Sequence, residues 1–439
     1  MAESAATWTM PRPGAWRTVS VLAFVYIMAV VDRVILQILI PGIKTSLLLS
    51  DTQVSLLLGF AFALCFALAG IPLGFAADRL NRRNLLIFGV AGWGLATIAC
   101  GLTQNFWAFF VARMIVGACE AALAPAAISM VADLFPPAKR GKPTGVLMAC
   151  SMFGGVLSNF IAAGFLAWFA HHPLPVVPGL GELAAWQVAL FGAGAPCLIA
   201  VPLLLMVREP ERERHSSVGG IAQVFDIKPY LSRHAVMFAL LFTAFTCIAL
   251  AGNGVGMWWP FVFMRTFGMS PAQTGVLLGL NSMVTGLAVA LAGGWLGDWA
   301  ARRNAATGRL KLLAGALTVQ ALALIPLAHP TSIVVITLAL TVNVIATGFA
   351  STAAFSLLPG LVPPHWRGRL IAVYQFIGNL VGFGLGPTLV AMVTNGVLKD
   401  ESRVADAMLI YGVPLLGLAA MLAALAVPRL RYMREREAF

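Results

Sequence analysis

Apolar positions along this chain come in long unbroken blocks. They do not alternate as in a strand, and they do not form the one-sided stripe of a soluble helix. Leu85–Phe110, Val146–Ala170 and Leu312–Ala328 contain no charged residue. A run of about 18 or more such residues reads as a membrane-spanning helix. The blocks predict twelve spans, near 16–40, 52–77, 84–103, 106–133, 144–169, 186–207, 234–264, 272–297, 310–328, 331–358, 369–395 and 404–427. The opening MAESAATWTMPRPGAW has no cleavable-signal pattern, so the first span is expected to direct insertion.

Composition agrees with this pattern. Of 439 residues, 60% are hydrophobic and only 10% charged, against about 25% charged in soluble domains. The net charge of +12 could suggest nucleic acid, but its distribution argues otherwise. Of 29 Lys and Arg, 23 fall at the termini and in alternate loops. The other loops hold only Lys44, Arg265, Lys399 and Arg403. This is the positive-inside asymmetry. It places both termini in the cytoplasm, with membrane lipid rather than nucleic acid as the neighbour of the basic loops. The lack of an N-x-S/T sequon is compatible with a bacterial inner membrane. Cys65, Cys100, Cys119, Cys150, Cys197 and Cys247 lie in apolar spans without metal-ligand or redox spacing. They read as small packing residues, and no metal or other cofactor is expected.

The chain repeats itself. GFAADRLNRR (74–83) closes span 2 and GWLGDWAARR (294–303) closes span 8. DLFPPAKRG (133–141) and GLVPPHWRG (360–368) share PPxxRG after spans 4 and 10. The offsets of 220 and 227 residues cover most of a six-helix half. An all-α membrane protein of two six-helix bundles is therefore expected, with bundles at 1–207 and 234–439 and a cytoplasmic linker at 208–233. A short amphipathic segment is expected near Ile221–Tyr230.

The G-x-x-x-D-R-x-x-R-R loop resembles the signature of the major facilitator superfamily. Its mechanical reading is a cytoplasmic latch between the bundles. Gly74 permits close approach to a neighbouring helix. Asp78 faces the positive end of a helix from the other half. Arg79, Arg82 and Arg83 pair with it and with nearby acids. Asp298, Arg302 and Arg303 repeat the pattern, with Trp299 as a departure.

Four charges lie inside spans: Asp32 and Arg33 in span 1, and Arg113 and Glu120 in span 4. Each costs roughly 2.5–3.5 kcal/mol of insertion at a helix centre. At 1.5 Å per residue, Asp32, Arg33 and Arg113 share a depth of roughly 10–12 Å from the outer end, and Glu120 lies about two turns deeper. Asp133 is placed at the hydrated end of span 4. The four charges can neutralise one another only by meeting across spans 1 and 4. They form either a structural ion-pair network or a protonation switch. In a switch, an acid that takes up a proton releases its arginine to a new partner.

These residues carry a second resemblance. The D-R pair in span 1, LSDTQ (49–53), R-x-x-x-G-x-x-E-A (Arg113 to Ala121), Pro125 and ADLFPPxxR together resemble the Spinster family of sphingosine-1-phosphate and lysophospholipid transporters, over most of the N-terminal half. That resemblance implies proton coupling, with Asp32, Arg33, Arg113 and Glu120 as the coupling and gating group.

Candidate cavity residues are Phe60, Phe62 and Phe66 in span 2, Asn253 and Trp258 in span 7, Asn343 and Phe355 in span 10, and Tyr374 and Gln375 in span 11. Few polar groups among them favour an apolar cavity over a sugar site. Gly378, Gly382 and Gly386, with Pro387 next, are placed to let span 11 pack closely and bend. The expected function is proton-coupled secondary transport of an amphipathic lipid-like solute by alternating access, by a monomer. A multidrug or organic-anion carrier remains open, as does a sensor or lipid scramblase on the same scaffold. No Ser/His/Asp or metal set suggests an enzyme. If the charge asymmetry sets topology, a cysteine probe at residue 220 will react with a membrane-impermeant label only from the cytoplasmic side. Labelling from outside would overturn the helix count.

Overall fold

The computed structural model describes residues 10–178, 181–212, 228–304, 307–362 and 366–436. Among them are twelve helices long and apolar enough to cross a membrane. Spans 1–6 are Ala15–Leu47, Asp51–Arg79, Arg82–Leu102, Phe106–Leu134, Pro137–Phe169 and Ala185–Leu205. Spans 7–12 are Ala235–Phe267, Pro271–Ala300, Gly308–Ala328, Ile333–Leu357, Leu370–Leu398 and Glu401–Met433. Linker residues 213–227, including His215 and most of the expected amphipathic segment, lie outside the described residues, as do Pro363, Pro364 and His365.

Each apolar block has become a helix, and the differences are at the ends. Span 1 runs through Pro41 and stops only at Leu48, which takes a left-handed φ of 53°. A small antiparallel hairpin, pairing Val176 with Glu182 and Val177 with Gly181, sits between spans 5 and 6. The apolar pattern did not predict it.

By packing, the described residues fall into two compact units. Unit 1 comprises those of Met1–Leu49, Ala61–Ser217 and Pro271–Gly279. Unit 2 comprises those of Ser50–Phe60, Val218–Ser270 and Leu280–Phe439. The segments 50–60 and 271–279 thus cluster with the unit opposite to their half of the sequence. In unit 1, span 1 packs along span 5, span 3 along span 6, and span 2 along span 4. In unit 2, span 7 packs along spans 11 and 12, and span 9 along spans 10 and 12. The pairings 1 with 5 and 3 with 6 recur six helices later as 7 with 11 and 9 with 12. The loop repeat therefore extends to the packing.

Span 11 meets span 7 through its glycines. A Cβ on Gly382 would lie 2.8 Å from the Ala249 carbonyl oxygen, and one on Gly386 would lie 2.7 Å from that of Leu250. Gly378 faces open space. The bend appears as a π-helical stretch at Ile377–Phe383.

Unit 2 also holds an ion pair that the sequence did not suggest. Ser50 and Gln53 form a capping box at the start of span 2. That box positions Asp51, which is fully buried. Arg265 Nη1 and Nη2 donate to its two oxygens at 2.6 and 2.7 Å. Arg265 also donates to the Glu401 carbonyl at 2.8 Å and lies 5.0 Å from the Phe261 ring centre. Removing one partner of such a buried pair costs about 3–5 kcal/mol. Asp51→Ala should therefore lower the melting temperature in detergent by several degrees. Glu401→Gln should leave it nearly unchanged, because the carboxylate is half-exposed and 3.9 Å from Arg265. Equal melting of Asp51→Ala and wild type would mean that the pair holds nothing together.

Candidate functional site

Span 4 is built to present one charged face. Asn105 caps it by accepting from the Ala108 amide at 2.9 Å. Its first helical segment is Phe106–Glu120, and a second begins at Leu123. The interruption lies where Pro125 would crowd the carbonyl four residues back, at Ala121. Glu120 is therefore the last residue before the break. Arg113, Gly117 and Glu120 follow a 3–4 spacing and share one side of the helix.

Gly117 sets the depth of packing. A Cβ there would lie 2.3 Å from the Phe62 carbonyl oxygen and 3.0 Å from its carbonyl carbon. Span 4 thus approaches the span 2 backbone as only glycine allows. Arg113 lies about one turn before this contact and Glu120 about one turn after it. Phe62 stands between them. Its ring centre is 5.4 Å from the Arg113 guanidinium and 4.8 Å from that of Arg33. Phe66 stacks on Phe62 at 5.3 Å and lies 5.5 Å from Arg33. Such distances are within cation–π range.

Asp32 and Arg33 are adjacent on span 1, so they point about 100° apart. Each finds a different partner. Asp32 is 1% exposed. It accepts from Thr97 Oγ1 of span 3 at 2.5 Å and faces Arg113 Nη1 at 3.4 Å. Arg33 donates to Glu120 Oε1. Glu120 and Arg113 are each 2% exposed, whereas the Arg33 side chain keeps 28%. The four charges sum to zero, and each pair is held through a single nitrogen. Glu120 Oε2, Arg33 Nε, and Arg113 Nε and Nη2 are buried without a hydrogen-bond partner among the described residues. Ser158 of span 5 donates to the Val31 carbonyl at 3.0 Å, tying span 1 in place beside the cluster. Sequence reasoning brought the four charges together but missed Thr97 and Ser158. An isolated Thr or Ser in an apolar span carries no signal of its partner.

The signature loop is arranged differently from the expectation. Asp78 and Arg79 are exposed, and Gly74 has open space where a Cβ would be. Arg82, expected near Asp78, turns to Asp133 instead and is itself buried. It also donates to Glu209 at 2.7 Å, Ser129 at 2.9 Å and the Pro210 carbonyl at 2.8 Å. Asp133 is correspondingly buried and does not lie at a hydrated helix end. The Arg83 amide donates to Glu209 at 2.9 Å. Arg212 donates to the carbonyls of Ala77, Asp78 and Leu80, capping the end of span 2. In the second copy, Asp298, Arg302 and Arg303 are exposed. Arg303 lies 4.4 Å over the Trp299 ring, which gives the departing Trp a local partner one turn away.

The cavity candidates separate. Phe60 closes a π-helical turn, Leu56–Phe60, that packs in unit 2. It does not join the Phe62–Phe66 stack, because two residues turn a helix by about 200°. Trp258 is fully buried and donates to the Pro387 carbonyl at 3.0 Å, so it is a packing residue. Asn343 is buried and donates to the Gln320 carbonyl at 3.2 Å, and Gln320 donates to Thr347 at 2.8 Å. Asn253 bonds back to the Ala249 carbonyl at 2.9 Å. Tyr374 meets Phe245 at 5.0 Å and the exposed Phe355 at 5.1 Å, both edge to face. Gln375 beside it is exposed.

Comparison with known proteins follows the same lines. The profile of the Major Facilitator Superfamily matches residues 22–387. An MFS-type efflux pump of Mycolicibacterium smegmatis is 28% identical over 396 residues, spanning 88% of this chain and 86% of that protein. Protein spinster homolog 1 of Xenopus laevis is 25% identical over 61% of this chain, a match that spans only half of that longer protein. Among solved structures, a bacterial homologue to the human lysosomal transporter Spinster, in an inward-facing and occupied conformation, superposes with a TM-score of 0.77. It is 22% identical and covers 98% of both chains.

The close contact at Gly117 generates a test. Gly117→Ala puts a methyl group against the Phe62 backbone, which cannot rotate away. Spans 2 and 4 must separate, at a cost of about 1–3 kcal/mol. The melting temperature should fall by several degrees, and unchanged melting would show that span 4 shifts without penalty.

Proposed function

The chain belongs to the Major Facilitator Superfamily and is a membrane transporter; within that class we propose proton-coupled secondary transport of an amphipathic, lipid-like solute with an anionic head. The observation that carries this reading is the under-satisfied charge cluster. Glu120 and Arg33 are joined through one oxygen and one nitrogen, with spare donors and acceptors beside them. When Glu120 takes up a proton, the cluster changes from net zero to net +1. Arg33 then has no acid of its own. It is the one member of the four with a substantially exposed side chain, and it stands against the Phe62–Phe66 stack. A cation beside apolar rings suits an anionic head joined to an apolar body. Binding of the proton and of the anion then reinforce each other. Such coupling is typically worth 1–3 kcal/mol, enough to bias the equilibrium between two conformations.

The relatives named as spinster homologues support the lipid-like substrate. The similarity to an efflux pump over most of both chains favours a second reading, export of hydrophobic drugs. The two separate by charge. If Arg33 receives the substrate, lysophospholipids and sphingoid phosphates should be carried, and hydrophobic cations should not.

The Glu120→Gln variant tests the coupling. Gln mimics the protonated acid and occupies similar space. Binding of an anionic lysolipid should strengthen on acidification in wild type. In Glu120→Gln it should stay at its low-pH level at every pH. Proteoliposome uptake driven by a proton gradient should be abolished, with binding largely retained. Asp32→Asn should weaken the same pH response. A Glu120→Gln protein that still responds to pH like wild type would return the cluster to a structural role.

A further inference from the structure

Unit 2 contains a cavity of about 710 Å³ bordered by the end of span 8, span 9 and span 10. Its chemistry is sorted by position. Arg303 and Lys311 stand at the end next to the basic 8–9 loop, and no acid among the described residues lines it. Asp298 precedes Trp299 but is not among the lining residues. From Lys311 onward the walls are apolar, through Gly315 and Val319 on span 9 to Phe349 on span 10. Gly308 to Val319 rises about 17 Å along a helix, roughly half of a hydrocarbon core about 30 Å thick. The groove therefore has the depth of one leaflet. Trp299, which carries Arg303 over its ring, is the last residue but one of span 8, a position that suits an amphipathic aromatic of the membrane interface.

We propose that this groove is a resident site for one anionic phospholipid of the leaflet facing the basic loops, with the phosphate between Arg303 and Lys311 and one acyl chain along Gly315 and Val319. Charge complementarity selects the occupant. Two cations attract a phosphodiester and favour a head group of net negative charge over a zwitterion, whose ammonium they repel. The apolar walls exclude a bare anion as the sole ligand. Gly315 makes room for the chain, because no atom lies within 4 Å of where its Cβ would be. The site is separate from the Asp32–Glu120 cluster, which belongs to the other unit.

The test uses the full-length protein in detergent. Thermal melting is followed with phosphatidylglycerol, phosphatidylcholine or soluble glycerol 3-phosphate, and native mass spectrometry counts retained lipid. Wild type should gain several degrees with phosphatidylglycerol alone and retain one molecule of it. The double variant Arg303→Gln/Lys311→Gln should lose most of the shift and retain about tenfold less lipid. Gly315→Phe, which fills the groove and leaves both charges, should do the same. Lys142→Gln, at a basic loop of the other unit, should keep the full shift. The proposal is overturned if both groove variants keep the shift, or if phosphatidylcholine or glycerol 3-phosphate reproduces it.

Discussion

Four charges placed in hydrocarbon must neutralise one another, and the packing of the first unit follows from that constraint. Asp32 is paired with Arg113 and Glu120 with Arg33, because a buried charge left without a partner is costly. For the pairs to meet, span 1 must lie against span 4, and span 4 must sit deep enough for its two charges to flank Phe62. Gly117 permits that depth, and the break before Leu123 ends the helix at Glu120. Thr97 and Ser158 then fix span 1 from two further sides. Five of the six helices of that half supply a group to this arrangement or hold one in place.

The second unit repeats the helix pairings without repeating the four-charge cluster. Besides the Asp51–Arg265 pair, unit 2 links its spans through amides and hydroxyls: Asn281 donates to Thr341 at 2.6 Å, and Gln320 links to Thr347. These neutral bonds hold helices together at any pH, since none of the groups titrates in the physiological range. A duplicated scaffold has thus kept its packing and divided its chemistry. In the proposed mechanism, the proton response belongs to unit 1 alone.

The fold was legible because the bilayer imposes one strong rule, an apolar block long enough to cross it, and this chain writes that rule twelve times. The four charges were legible for the complementary reason, since a charge in such a block needs an explanation. Their pairing was not. Depth counted along each helix sets Arg33 level with Arg113, whereas the side chain reaches about two turns along to Glu120. Arg82 was read as a partner for Asp78, which is near in sequence, and it pairs with Asp133 and Glu209 through tertiary contacts. Arg265 was read as a loop charge, and Asp51 fell just outside the expected span 2. In the structure the capping box at Ser50 starts a helix at Asp51, and nothing in the sequence showed that this acid would be buried.

The two buried ion-pair groups differ in a way that bears on function. Asp51 and Arg265 are bidentate, and no polar atom of either is left buried without a partner. Exchanging either one would lose two good hydrogen bonds, so the pair favours a single arrangement. Arg33 with Glu120 and Arg113 with Asp32 are each joined through one nitrogen, and four polar atoms among them stay unpaired. Leaving such atoms unsatisfied costs about 1–3 kcal/mol apiece. A second arrangement of the same four side chains, with different atoms paired, therefore lies closer in energy than it would for a saturated cluster. A group that must change partners when a proton arrives works best if its resting state is not already its best. The incompleteness of this cluster, set against the completeness of the Asp51 pair, is the physical reason why the proposed mechanism puts its moving charge in unit 1 and not at Asp51.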